Sequence, residues 1–192
     1  MPDDEIQKLV ERARSGDEVA FAALYDVFAP RIYRFFLFRV SVTDAAEDLT
    51  QRVFLKMVEQ LPTYESRGVP FAAWVFRVAR NAWIDHDRAT RPTVALEMLS
   101  QRPSEADGPE ILAAASVEAH LLREAIETLS PDEREVIACR FFAGLTPAET
   151  AAQMGRTNGS VRVLQHRALA TLRQRLPPAD RAAGRREAGS PR

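Results

Sequence analysis

The chain has 192 residues, a formal net charge of −1 and 46% hydrophobic residues, enough for one or two folded cores. No apolar run approaches the ~18 residues a membrane span needs. The acidic start MPDDEIQKLV lacks the basic opening of a signal peptide, which points to the cytoplasm, and the single cysteine, Cys139, excludes an internal disulfide or a cysteine-cluster metal site.

Apolar residues recur at helical spacing almost throughout and strand signals are nearly absent, so the expected fold class is all-α. A first helix is expected from Asp3 to Arg14, broken by Ser15-Gly16-Asp17. Asp17 can cap a second helix holding Phe21, Leu24, Tyr25 and Phe28, with a bend at Pro30 and a continuation from Ile32 to Val40. Thr43 or Asp44 caps a third helix, Ala45 to Leu61. Leu49, Val53 and Met57 share one face of it, with Phe54, Val58 and Leu61 close beside. Pro62 to Pro70 reads as a loop and Phe71 to Arg88 as a fourth helix. Residues 91–115 carry three prolines and an acidic excess with little periodicity, as a flexible linker would. Helical pattern resumes from Val117 to Leu129. Ser130 and Pro131 then open a helix through Val136, Ile137 and Phe141. Residues 177–192 have a disordered composition.

The segment Phe141 to Arg175 reads as two helices joined by a tight turn. Thr146 is placed as N-cap, Pro147 at the first helical position and Glu149 to close a capping box. Gly155 suits the left-handed backbone that ends a helix. Thr157 can cap the next helix, whose Val161, Leu164, Ala168 and Leu172 fall three and four apart. Five arginines and no acid lie between Arg156 and Arg175. A short helix, a glycine turn and a basic helix form the arrangement that enters the major groove. Two amphipathic helices with a glycine turn also occur in proteins that never touch DNA, so the rest of the chain must decide.

In the fourth helix Trp74, Arg77, Asn81, Asp85 and Arg88 fall three or four apart on one face, while Val75, Val78, Ala79 and Ala82 can fill the packing face. An aromatic ring, arginines and an amide on one exposed face can stack on unpaired bases and hold the backbone. The competing possibility is that Trp74 and Trp83 are core residues and Arg77 pairs with Asp85 or another acid. Trp83 fits the core better, and Trp74 is balanced between the two.

These stretches carry a resemblance. Asp48-Leu-Thr-Gln51-Arg-Val-Phe54, then Trp74, Arg77, Asn81, Asp85 and Arg88, then Leu129-Ser-Pro, Gly144-Leu-Thr-Pro-Ala-Glu149, Ser160-Val-Arg162 and Arg167-Ala-Leu-Ala resemble, in order, the bacterial extracytoplasmic-function (ECF) sigma factors. The resemblance implies a sigma-2 helical domain over residues 1–90, the linker 91–115, a sigma-4 helix-turn-helix domain over 116–176 and a tail, 177–192. It implies no enzymatic activity and no cofactor. The partners it implies are core RNA polymerase and promoter DNA, melted at the −10 element and duplex at −35. Members are commonly held inactive by an anti-sigma protein, and nothing in the sequence marks that partner.

The same resemblance distributes the work. Asp48, Gln51, Arg52 and Glu59 of the third helix would face core polymerase. Tyr64, Arg67, Trp74, Arg77, Asn81 and Arg88 would hold the −10 strand, with Asp85 orienting an arginine. Asn158, Ser160, Arg162, Val163, His166 and Arg167 would face the −35 duplex, with Arg162 first for a guanine contact. Residues 1–90 hold 12 basic and 14 acidic side chains, and 116–176 hold 8 and 7. That near-neutral balance fits a protein that grips DNA only together with polymerase, since unaided DNA binders are usually basic. A stand-alone helix-turn-helix regulator is the main rival reading, but it leaves the Trp74–Arg88 row without a use. An enzyme is a distant third, because no phosphate loop or nucleophile constellation appears. His86, His120 and His166 lie in separate segments with no metal-ligand spacing. Cys139, in an apolar helix, reads as a small core residue.

Overall fold

The computed structural model describes residues 2–40, 43–66, 68–90 and 121–176. Every regular element among them is helical, in keeping with the all-α expectation: α1 (Asp3–Arg14), α2 (Glu18–Leu37), α3 (Thr43–Gln60), a 3-10 turn (Leu61–Thr63), α4 (Phe71–Thr90), α5 (residues 121–127), α6 (Pro131–Ile137), a π-helical turn (Ala138–Phe142), α7 (Pro147–Met154) and α8 (Asn158–Arg175). The expected linker 91–115, the tail 177–192 and Arg67 lie outside the described residues.

The chain divides into two compact units. One joins Met1–Gln101 to Ala138–Val161, and the other joins Arg102–Ile137 to Arg162–Arg192. The first unit therefore contains not only α1 to α4 but also the π-helical turn, α7 and the first turn of α8. Composition and periodicity gave no sign of that grouping, which depends on contacts between distant segments.

Within the first unit α1 packs on α2, α2 on α3, α3 on α4, and α4 on α7. The acids Asp3, Asp4 and Glu5 open α1 and Arg12 and Arg14 close it, each matched to the helix dipole. Asp17 caps α2 by accepting from the Ala20 N–H at 3.0 Å, and Arg12 pairs with it at 2.7 Å. The helix does not break at Pro30 but runs through it. An interior proline costs ~3 kcal/mol. Burial of Leu24, Phe28, Ile32, Phe35 and Phe36, each completely enclosed, outweighs it at about 1.5–3 kcal/mol per side chain. The core centres on Phe28, Phe35, Phe36, Phe71 and Phe76, and it extends to Ala138, Cys139, Ala143 and Leu145. Cys139 is fully buried, with its Sγ 3.6 Å from Gln153 Oε1, as a core residue should be.

On α3 the inner face holds Leu49, Val53, Phe54 and Met57, and Leu61 follows on the 3-10 turn. Val58, expected close to that face, instead projects outward at 55% exposure beside Leu55 at 64%. In the second unit Ala125, Leu129, Val136, Ile137, Ala168 and Leu172 are buried. Ser130 and Glu133 start α6 reciprocally: the Ser130 N–H donates to the Glu133 carboxylate at 2.9 Å, and the Glu133 N–H reaches the Ser130 hydroxyl at 3.4 Å.

The backbone N–H of Ala20 and the Arg12 guanidinium hold the Asp17 carboxyl below its ordinary value of 3.8. A depressed carboxylate contributes stability that is complete above the ordinary value and lost as pH falls through the folded one. Replacing Asp17 with Ser keeps a capping oxygen but removes the titration. Urea unfolding of Asp17→Ser should therefore lose less stability than wild type between pH 5 and pH 2.5. Equal losses would remove Asp17 from the acid response.

Candidate nucleic-acid interface

The row expected on α4 is present. Arg77, Asn81, Asp85 and Arg88 are exposed along one side, and Trp74 at its head is half-buried. Its opposite side, with Phe71, Val75, Phe76, Val78, Ala79 and Ala82, is buried. Trp74 is held rather than loose. Its ring stacks on Phe71 at 5.2 Å between centroids and leans on Tyr64 at 4.9 Å, while Tyr64 meets Phe71 edge-on at 5.2 Å. Such ring pairs add about 0.5–1.5 kcal/mol each beyond burial. The other tryptophan, Trp83, lies half-buried against the core with His86 beside it.

Two expectations change here. Tyr64 is only 7% exposed, so its ring is closed to a base in this conformation and serves instead to set the position of Trp74. Burial pushes its phenol up, and its hydroxyl, near Ser66, has no partner in hydrogen-bond geometry among the described residues. Asp85 does not orient an arginine. It faces Lys56 of α3 at 3.8 Å, an exposed pair worth little energy that nonetheless draws the row's one acid toward a lysine.

On α3 Asp48, Gln51, Arg52 and Glu59 are all exposed, with Asp48 and Arg52 paired at 2.7 Å. Leu55 and Val58 lie among them, so this face has an apolar centre with a polar surround. Protein interfaces are commonly built that way. The spacing of Asp48, Arg52, Leu55 and Glu59 by four, three and four residues already carried that signal for Leu55.

The helix-turn-helix is built as its residues dictate. The Thr146 hydroxyl accepts from the Glu149 N–H at 3.1 Å and the Glu149 carboxylate accepts from the Thr146 N–H at 2.6 Å, closing the capping box. Gly155 takes a φ of 64°, where a side chain would be strained. Thr157 caps α8 by accepting from the Ser160 N–H at 3.2 Å. That N–H is thus taken by the cap. Val161 and Ala168 are fully buried and Leu172 nearly so, while Leu164 is half-buried. This turns Asn158, Arg162, Val163, His166 and Arg167 outward, with Ser160 half-buried. No group of three or more His, Cys, Asp or Glu among the described residues could hold a metal ion, and no described helix is long and apolar enough to cross a membrane.

Comparison with known proteins fits this geometry. Residues 24–93 match Sigma-70 region 2 and residues 125–174 match Sigma-70, region 4. The chain is 37% identical to the ECF RNA polymerase sigma factor BldN of Streptomyces coelicolor over 90% of its length and 66% of BldN. It is 33% identical to the ECF sigma factor SigD of Mycobacterium tuberculosis over 92% of its length and 86% of SigD. The chain belongs to the ECF sigma factors of the sigma-70 family. Among solved structures, CnrH in complex with the cytosolic domain of CnrY is similar at a TM-score of 0.63 and 25% identity, covering 90% of this chain and 96% of CnrH. An ECF sigma factor binds core RNA polymerase, recognises promoter DNA and starts transcription. The stand-alone regulator is set aside.

The packing of Tyr64 generates a specific expectation. An unpartnered buried hydroxyl costs about 1–3 kcal/mol of desolvation. Tyr64→Phe should therefore unfold at an equal or higher urea midpoint than wild type. Tyr64→Ala should lose about 3–5 kcal/mol and alter the Trp74 fluorescence. A Tyr64→Phe protein markedly less stable than wild type would mean that the hydroxyl has a partner after all.

Proposed function

We propose that residues 1–90 hold core polymerase and the melted −10 strand, while residues 116–176 read the −35 duplex. In this reading the protein is a cytoplasmic initiation factor and not an enzyme. The observation that carries it is the α4 row: a tryptophan fixed by Phe71 and Tyr64 yet half-open, followed by exposed Arg77, Asn81 and Arg88. Stacking on a rigid ring contributes ~1–3 kcal/mol per base, and the arginines and amide supply backbone contacts. Arg67 belongs to this grip by its place in the Pro62–Pro70 loop, and Tyr64 acts through Trp74.

Asp48, Gln51, Arg52 and Glu59 surround Leu55 and Val58 as the polymerase-facing surface of α3. Apolar anchors inside a polar rim are what a protein partner engages most strongly. On α8 Arg162 would take guanine, Val163 a thymine methyl, and Asn158, Ser160, His166 and Arg167 the flanking phosphates and base edges. A protein that sequesters the chain completes the scheme. CnrH, solved together with the cytosolic domain of CnrY, supports such a partner.

Run-off transcription with core polymerase tests both grips. Trp74→Ala should lower open-complex formation about 5- to 150-fold, the equivalent of ~1–3 kcal/mol of lost stacking, and a pre-melted −10 bubble should restore part of it. Arg162→Ala should leave transcription competent but narrow the gap between the preferred −35 sequence and single-base variants by a similar factor. Unaltered opening in the first variant, or unaltered −35 selectivity in the second, would count against that grip.

A further inference from the structure

Asp85 is the residue of the α4 row that the grip described above leaves without a task. It stands between Asn81 and Arg88 with its side chain 66% exposed. An uncompensated carboxylate there would repel the phosphates that Arg77 and Arg88 attract. Stability does not account for the acid either, since an exposed ion pair contributes little. Lys56 reaches it from α3, which packs on α4 within the first unit, and the buried neighbours Val53 and Met57 fix the root of that lysine. At 3.8 Å the ammonium is close enough to offset the charge of Asp85 and too far to occupy its oxygens with a hydrogen bond. Among the described residues no other group donates to the carboxylate. The result is a screened acid whose acceptor positions stay open on the DNA-facing side of the helix.

What such a group can recognise follows from the donors that a melted strand offers. An ionised carboxylate only accepts. Neither phosphate nor deoxyribose within a strand carries a donor, so the partner must be a base, met on the Watson–Crick edge that melting exposes. Adenine and cytosine each present one amine beside a ring nitrogen that accepts, and thymine presents one N–H between two carbonyls. Guanine alone presents two adjacent donors, N1–H and the N2 amine, which match the two oxygens of a carboxylate with no acceptor set against an acceptor. Asp85 lies eleven residues beyond Trp74, about 16 Å along the helix at 1.5 Å per residue. That length spans up to about five nucleotides at 3.4 Å apiece, so the base at Asp85 is a different one from the base on the Trp74 ring.

We propose that Asp85 reads one unpaired guanine of the melted −10 strand through its N1–H and N2 amine, and that Lys56 screens the carboxylate so that the strand can approach. The inference rests on the assignment of that strand to α4. It adds base discrimination to a row whose ring stacks on any base and whose arginines meet backbone. Asparagine at this position would carry one acceptor and one donor group, the complement of adenine or cytosine. The side chain at position 85 therefore sets which base is preferred.

Selection from pre-melted DNA tests the assignment. Duplexes whose non-template −10 segment is unpaired and randomised would be captured by core polymerase carrying the full-length chain, and the bound and unbound pools sequenced. Wild type should favour guanine at one position by about 5- to 150-fold, as a bidentate pair does. Asp85→Asn should move that preference to adenine or cytosine at the same position and keep the profile elsewhere. Hypoxanthine, which lacks the N2 amine, should weaken capture by wild type at that position and leave capture by Asp85→Asn unaltered. Lys56→Met should weaken capture of every sequence, and much less so in an Asp85→Asn background; an equal loss in both backgrounds would refute the screening. A wild type with no guanine preference in the segment, or an Asp85→Asn profile matching wild type, would overturn the proposal. Trp74→Ala keeps the two readings apart, because it should weaken capture of all sequences while retaining the guanine position. Unchanged capture by Trp74→Ala would remove the strand from α4 and the guanine contact with it. Weakened capture there, together with an unaltered Asp85→Asn profile, would remove the guanine contact alone.

Discussion

The two-sided character of α4 is the constraint on which the rest of the first unit depends. One side is sealed: Phe71, Val75, Phe76 and Ala79 are essentially inaccessible. Phe71 meets Phe28 edge-on at 5.6 Å, and Phe76 meets Phe35 at 5.4 Å. A helix anchored by fully enclosed rings cannot rotate without opening cavities that cost several kcal/mol each. Its other side is therefore presented in one orientation. Trp74 occupies the boundary, half in the aromatic cluster and half in solvent, where an amphipathic ring is both rigid and available. The neighbouring helices adjust to this frame, α3 through Lys56 and α2 through its phenylalanines.

The acids are distributed in a way that the net charge of −1 conceals. Many of those in the described structure are occupied locally. Asp17, Glu133 and Glu149 cap helices, and Glu11, Asp48 and Asp85 sit beside Arg14, Arg52 and Lys56. None lies on α8, where Arg162, Arg167, Arg173 and Arg175 are exposed. A chain with a formal net charge of −1 can thus still present a positive helix to a polyanion. Such separation favours use of that helix when another protein brings it to DNA, over unaided adhesion.

What was legible beforehand follows from the range of the physics involved. Caps at Asp17, Ser130, Thr146 and Thr157 depend on residues three positions away, and each formed as the local chemistry required. The inward set of α8 and the outward row of α4 followed from a period of 3.6. The misses depend on packing that local periodicity does not encode. The expectation that Tyr64 holds the −10 strand meets Phe71 and Trp74, which close over its ring from beyond the loop, where helical spacing does not reach. Val58 was placed beside the inner face because helical spacing alone does not say where the neighbouring helix ends. The expected partner of Asp85 is an arginine, whereas α3 brings Lys56 within reach. Most of all, arginines of α2 binding carbonyls more than a hundred residues later leave no trace in periodicity or composition.

That long separation has a consequence for how each copy of the protein begins its life. Arg31 and the Ala143 carbonyl are 112 positions apart. At about 5–20 residues per second, a ribosome needs roughly 6–22 s to travel between them. The four N-terminal helices emerge, and can collapse around their phenylalanines, well before the segment that docks on them has been made. Every newborn molecule thus spends several seconds with α1 to α4 synthesised while the carbonyls that Arg31 and Arg34 meet do not yet exist.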